Sequence, residues 1–170
     1  MMMMIVETWR KRTAEEKFLF NPAFCSLLIS SACYEYQVSS LKGMSYPLAF
    51  FILPLTLHKQ SRLKLPKRSN ALMALWIQEN ISARIALHEN ITPLIPYTKE
   101  AIFFASDHKL LKFSGNGVLE FTGNKKNINS ASIKLEGEAR ECFLSSRMLG
   151  KWFSASGTDE VILSLWGVLP

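Results

Sequence analysis

The sequence predicts a mainly helical α+β domain carrying one small β-hairpin, and three observations lead there. Several capped segments place apolar residues at helical spacing, and a Gly-Asn-Gly run separates two short alternating stretches. Apolar residues make up 48% of the 170, against 20% charged, which supplies a core and excludes a disordered chain of low hydrophobicity and high charge. A chain of this length ordinarily folds as one domain, and no repeat or long linker divides it. The expected organisation is therefore a single domain over 1–170. Within it we expect an N-terminal helix at 7–19, a helical core at 20–108, a hairpin wing at 109–122, a polar loop at 123–135 and C-terminal helices in 136–170.

Residues 7–19 mix acids and bases along a short polar helix. Asn21 then offers a side-chain acceptor to orphan backbone N–H groups, and Pro22 stands at the first helical position, where its missing N–H costs little. Phe24, Leu27 and Leu28 follow at i, i+3, i+4 beside Cys25, Ile29 and Cys33, giving a broad apolar face to about Gln37. After a loop holding Gly43, Ser45 caps an apolar helix through His58. Pro54 removes a hydrogen bond from that helix and crowds the preceding turn, so it should kink or split there. The stretch 59–68 holds Lys59, Arg62, Lys64, Lys67 and Arg68 with no acid, and Pro66 bars a continuous helix. Ser69 caps the next helix, with Leu72, Leu75 and Trp76 as its stripe.

Two further helices are expected at about 82–90 and 97–108. Residues 110–113 and 118–121 flank Gly115-Asn116-Gly117, and Asn-Gly readily supplies the positive φ of a tight turn. The polar stretch 122–135 reads as a mobile loop, and Ser156-Gly157 parts closing helices at about 138–154 and 158–166. Helices, then a two-stranded hairpin, then another helix is the order of a winged helix-turn-helix domain, an analogy of element order alone.

No catalytic constellation is legible. The chain lacks the Gly-x-x-x-x-Gly-Lys-Ser/Thr phosphate loop and any Gly-x-Gly-x-x-Gly turn. His58, His88 and His108 stand apart, without partners at metal-ligand spacing, so surface or helix-end positions are expected for them. Cys25, Cys33 and Cys142 cannot all pair with one another; two of them sit inside apolar runs, where a thiol behaves as a small hydrophobe, and a reducing compartment is expected. Glu136, Glu138 and Glu141 lie in polar segments and read as a solvated helix face. We therefore expect a chain that is not an enzyme, with no catalytic, cofactor-binding or metal-binding residue. The apolar start meets Glu7 too soon for a signal-peptide core. The longest apolar stretch, 48–57, is about half the roughly 20 residues that span a bilayer. A cytoplasmic protein without membrane contact is expected.

The best electrostatic feature is the run from Lys59 to Arg68, in a chain of net charge +6. Lys59, Arg62, Lys64, Lys67 and Arg68, with Lys112, Lys125 and Lys126 around the wing, are candidate contacts for a DNA backbone or an acidic partner. Specific base reading is not expected, because the helix at 97–108 has no Arg, Asn or Gln to meet base edges, and Glu100 and Asp107 repel phosphates.

A longer pattern runs through these elements. Residues 20–28 read Phe-Asn-Pro-Ala-Phe-Cys-Ser-Leu-Leu, and 46–58 read Tyr-Pro-Leu-Ala-Phe-Phe-Ile-Leu-Pro-Leu-Thr-Leu-His. Arg62, Leu65-Pro66 and Trp76-Ile77 follow, and the tail runs from Trp152-Phe153 to Ser164-Leu165-Trp166-Gly167-Val168. Together they resemble the middle component of bacterial three-component ABC (ABC-3C) systems, which includes the small third subunit of Lamassu-type defence. The likeness covers nearly the whole chain and leaves out the four-Met start.

That resemblance implies a non-catalytic accessory subunit of an anti-phage or anti-plasmid complex. It would bridge the head of an SMC-like coiled-coil ABC ATPase and an effector subunit, often a nuclease, and meet double-stranded DNA through the complex. Nucleotide hydrolysis would then belong to the partner. Among the motif positions, Asn21, Pro22, Phe24, Pro54 and Trp76 read as structural. The alternative is a free-standing winged-helix DNA-binding regulator.

Overall fold

A computed structural model describes residues 20–168, so the helix expected at 7–19 lies outside the described residues. The chain opens with α1 (Pro22–Ser40), where the Asn21 side chain accepts from the backbone N–H of Ala23 at 2.8 Å and Phe24 at 3.4 Å. Two orphan donors are thus satisfied by one residue, and Pro22 has none to lose. The two-residue strand β1 (Met44–Ser45), which the sequence did not signal, leads into α2 (Tyr46–Ala49) and α3 (Ile52–Leu57). Ser45 makes no side-chain cap. Pro54 splits the apolar helix, but four residues ahead of itself: a continued helix would need its missing N–H and the space beside the Phe50 carbonyl.

The basic stretch is helical in its first half, as α4 (Lys59–Lys64), with the His58 Nδ1 accepting from the Ser61 N–H at 3.3 Å. Next comes α5 (Met73–Glu79), entered through Leu72 rather than Ser69. Its buried stripe is Met73, Trp76 and Ile77, while Leu72 and Leu75 are 73% and 51% exposed. The two helices expected at 82–90 and 97–108 are one, α6 (Ile81–Asp107), with Pro93 and Pro96 inside it. Both prolines are exposed, as are Glu89 and Thr92, four residues before them, so water can satisfy the carbonyls that lose their partners.

The expected hairpin forms as β2 (Leu111–Ser114) and β3 (Val118–Phe121), closed by a three-residue loop with Gly117 at φ 72°. β3 is central, so the antiparallel sheet runs β1-β3-β2, with Met44 opposite Leu119 and Leu111 opposite Phe121. The polar loop expected over 123–135 is instead largely the helix α7 (Lys125–Ile133), which Asn124 caps by accepting from the Lys126 N–H at 2.9 Å. It buries only Ile128, which left no periodic signal to read. The closing helices α8 (Gly137–Ala155) and α9 (Asp159–Trp166) lie where expected.

The core is gathered around α1 and α8. Small side chains let these helices cross closely: a Cβ on Gly150 would collide with the Ala32 carbonyl. Beside the crossing stands an aromatic cluster in which Trp76 and Trp152 meet edge to face at 5.2 Å and Phe51 meets Trp166 at 6.0 Å. Trp76 Nε1 donates to the Lys64 carbonyl at 3.1 Å and Trp152 Nε1 to the Ala71 carbonyl at 2.8 Å. The irregular 65–72 segment is therefore pinned at both ends, which fixes Lys67 and Arg68 relative to α8. Among the described residues no helix is long and apolar enough to cross a membrane.

Candidate functional site

The structure divides the basic run. Arg62 is 5% exposed, which corrects its reading as a surface cation. Its guanidinium donates from Nη2 to Glu138 Oε1 at 2.7 Å and from Nη1 to the Thr56 carbonyl at 2.7 Å, and it lies 3.5 Å from Glu141 Oε2. The hydrogen bond and charge of Arg62 hold the Glu138 carboxyl below its ordinary range. Arg62 ties α4 to α8, and its charge is spent there. Lys64 is exposed and donates from Nζ to Ser82 Oγ at 2.6 Å. Lys59, Lys67 and Arg68 are exposed.

Lys67 and Arg68 face α8, across a hollow of about 520 Å³, where they meet Arg147 and Lys151. These two α8 cations were not singled out from the sequence, because they lie about 80 positions away. Leu144, Arg147, Met148 and Lys151 recur at i, i+3, i+4, i+7, so one face of α8 forms the wall. Below it lies Glu35 of α1, 4% exposed. Its Oε1 accepts from Arg147 Nε at 2.6 Å, and its Oε2 lies 3.7 Å from Lys151 Nζ. One buried carboxylate thus orients two of the four cations and leaves the hollow positive.

The hollow continues at both ends. Through Lys67, Leu144 and Met148 it joins a second, of about 360 Å³, that includes Leu63 and Pro66. Through Ser69 and Asn70 it joins a third, of about 580 Å³, walled by Leu72, Leu75, Val161 and Leu165. The result is a trough with a cationic middle and leucine-bearing ends, one of which also carries Glu141, whose charge is met by Arg62. Leu63, Leu72, Leu75, Leu144 and Val161, each between 47% and 73% exposed, all lie along it.

The other cations of interest line none of these hollows. Lys112 is exposed on β2 opposite Glu120. Lys125 and Lys126 are exposed in the first turn of α7, Lys125 Nζ standing 5.6 Å from the centre of the Tyr34 ring. A separate groove of about 600 Å³ runs between the C-terminal half of α6 and the sheet, lined chiefly by Tyr46, Pro96, Phe103, Leu111 and Phe113.

Chemically reactive side chains are engaged structurally. Cys33 is buried and its thiol is pushed up to about 12 by desolvation. Burial likewise raises Cys142, whose Sγ donates to the Thr56 carbonyl at 3.3 Å. His88 Nε2 donates to the Trp166 carbonyl at 2.8 Å, and His108 Nδ1 to the Phe104 carbonyl at 2.9 Å. Among the described residues no three His, Cys, Asp or Glu side chains gather as a metal site requires. Of the motif positions, Trp76 and Pro54 are buried, and Phe24 is half-buried against the core.

Among known families, the model of the ABC-three component (ABC-3C) system Middle Component 3 family aligns with residues 9–170. No curated protein and no solved structure matches the chain.

Proposed function

The chain belongs to the Middle Component 3 family of ABC-three component systems, and from that premise we propose that it is a non-catalytic accessory subunit of a Lamassu-type defence complex. In this reading it bridges the head of an SMC-like coiled-coil ABC ATPase and an effector subunit, in the cytoplasm, and performs no chemistry itself. The observation that carries the reading beyond the family is the surface. Large apolar side chains, among them Leu63, Leu72, Leu75, Phe113 and Leu144, stand half or more exposed on a body whose core is already complete. Exposed leucine in such number along one trough is the mark of a surface that partners cover.

The sheet supports the winged arrangement as a fold reading, since the hairpin follows a long helix and β1 adds to its β3 edge. That wing is read as scaffold. Exposed Lys59, Lys112, Lys125 and Lys126 are then the cations placed to approach a DNA backbone once the complex has gathered DNA.

The test is co-expression of the tagged chain with the products of its neighbouring genes. A stable complex is expected, with nucleotide hydrolysis that follows the ATPase subunit and is absent from the isolated chain. Failure to co-purify, or turnover by the chain alone that one side-chain substitution abolishes, would overturn the reading.

A further inference from the structure

We propose that the trough along α8 is the docking site for an acidic amphipathic segment of a partner subunit, one that presents a stripe of apolar side chains flanked by Asp or Glu. This rests on the reading of the chain as a bridging subunit and names the chemistry of what one side of the bridge holds.

Charge and apolar surface together select that occupant. The middle of the trough is lined by Lys67, Arg68, Arg147 and Lys151, of which Arg147 and Lys151 pair with the buried Glu35. Its ends offer Leu63 and Leu144 on one side and Leu72, Leu75 and Val161 on the other. A nucleic-acid backbone would satisfy the cations and leave the leucines against phosphate and sugar, whereas interfaces with DNA are more polar and more uniformly positive. A second copy of this chain, laid on the same face by a twofold axis, would bring like charges together in the middle. An acidic amphipathic helix meets both demands: its apolar i, i+3, i+4 positions cover the leucines, and its flanking carboxylates reach the cations. The complementary α8 face, from Leu144 to Lys151, rises about 10.5 Å, so the occupant needs at least two helical turns.

The trough is also built in advance. Glu35 orients Arg147 and Lys151 from beneath, and the hydrogen bonds of Trp76 and Trp152 hold the loop that carries Lys67 and Arg68. On this chain the ordering cost of binding is then confined chiefly to the exposed side chains of Lys67 and Arg68.

Two measurements on the assembled complex test this. In the first, a photo-crosslinking residue is placed at Leu72 or Leu144, with Ile133 on α7 as the control position. The proposal expects adducts from 72 and 144 to one partner peptide rich in Asp or Glu and apolar residues, and none to that peptide from 133. Adducts to DNA, to a second copy of this chain, or to a peptide lacking acids would overturn it. In the second, Lys67→Glu with Arg68→Glu, both exposed positions that leave the Glu35 pairs intact, is expected to weaken assembly by roughly tenfold or more. Reversing the charge of the acids that the crosslink identifies should restore it. Undiminished assembly of the double variant would sink the trough proposal and leave the bridging reading standing. A wild-type chain that never joins the neighbouring components would bring down both.

Discussion

A guanidinium withdrawn from water needs partners for its charge, and Arg62 finds them in Glu138 and Glu141, while its Nη1 donates to the Thr56 carbonyl and its Nε–H is left without an acceptor. Nothing local in the sequence shows this. Arg62 sits among four other cations with no acid nearby, and its carboxylate partner lies 76 positions further on. Sequence reading therefore groups it with the surface cations, while the fold uses it as a brace. The sign of the pH effect follows. The Glu138 carboxyl titrates lower in the folded chain than when unfolded, so its contribution is complete above the ordinary carboxylate range and is lost as pH falls through its lowered value. Glu138→Gln is expected to lower the melting temperature at neutral pH and to flatten the decline of stability on acidification. Urea melts between neutral and acid pH read this directly, and a variant whose acid decline matches that of the parent would contradict the brace.

At the scale of elements, the α1–α8 crossing shows how little side chain a close helix contact tolerates. Gly150 of α8 stands against the Ala32 carbonyl, which is backbone and cannot rotate away. Gly150→Ala is expected to cost about 3 kcal/mol by forcing the two helices apart, despite the higher helix propensity of alanine. For a chain of this size that corresponds to a fall in melting temperature of roughly 6–12 °C. An unchanged or raised melting temperature would show that the helices are not in contact there.

Which elements could be read in advance follows from where their signals lie. The start of α1 is written in two adjacent residues, Asn21 and Pro22, and the hairpin in Gly115-Asn116-Gly117. β1 is two residues long and has no periodicity of its own; only pairing with β3 makes it a strand. Continuity of α6 through Pro93 and Pro96 depends on their facing solvent, a tertiary fact. The helix α7 buries one residue and so leaves no stripe.

For the molecule as a whole, the family pattern is spread through the chain and was legible from motifs at 20–28, 46–58 and the tail, consistent with the alignment over 9–170. The trough was legible only by half. Lys67 and Arg68 belong to an evident basic run, while Arg147 and Lys151 sit on an ordinary amphipathic helix and join them through the fold. Leu72 and Leu75, read with Trp76 as the apolar stripe of a helix, prove to be surface, which turns a packing argument into one about partners. In the proposed function, the chain acts by holding two larger components together. The most direct test of that role is to tag the effector and compare recovery of the ATPase with this chain present and deleted. The ATPase is expected to be recovered with the chain present and lost without it; equal recovery in both cases would contradict the bridging role.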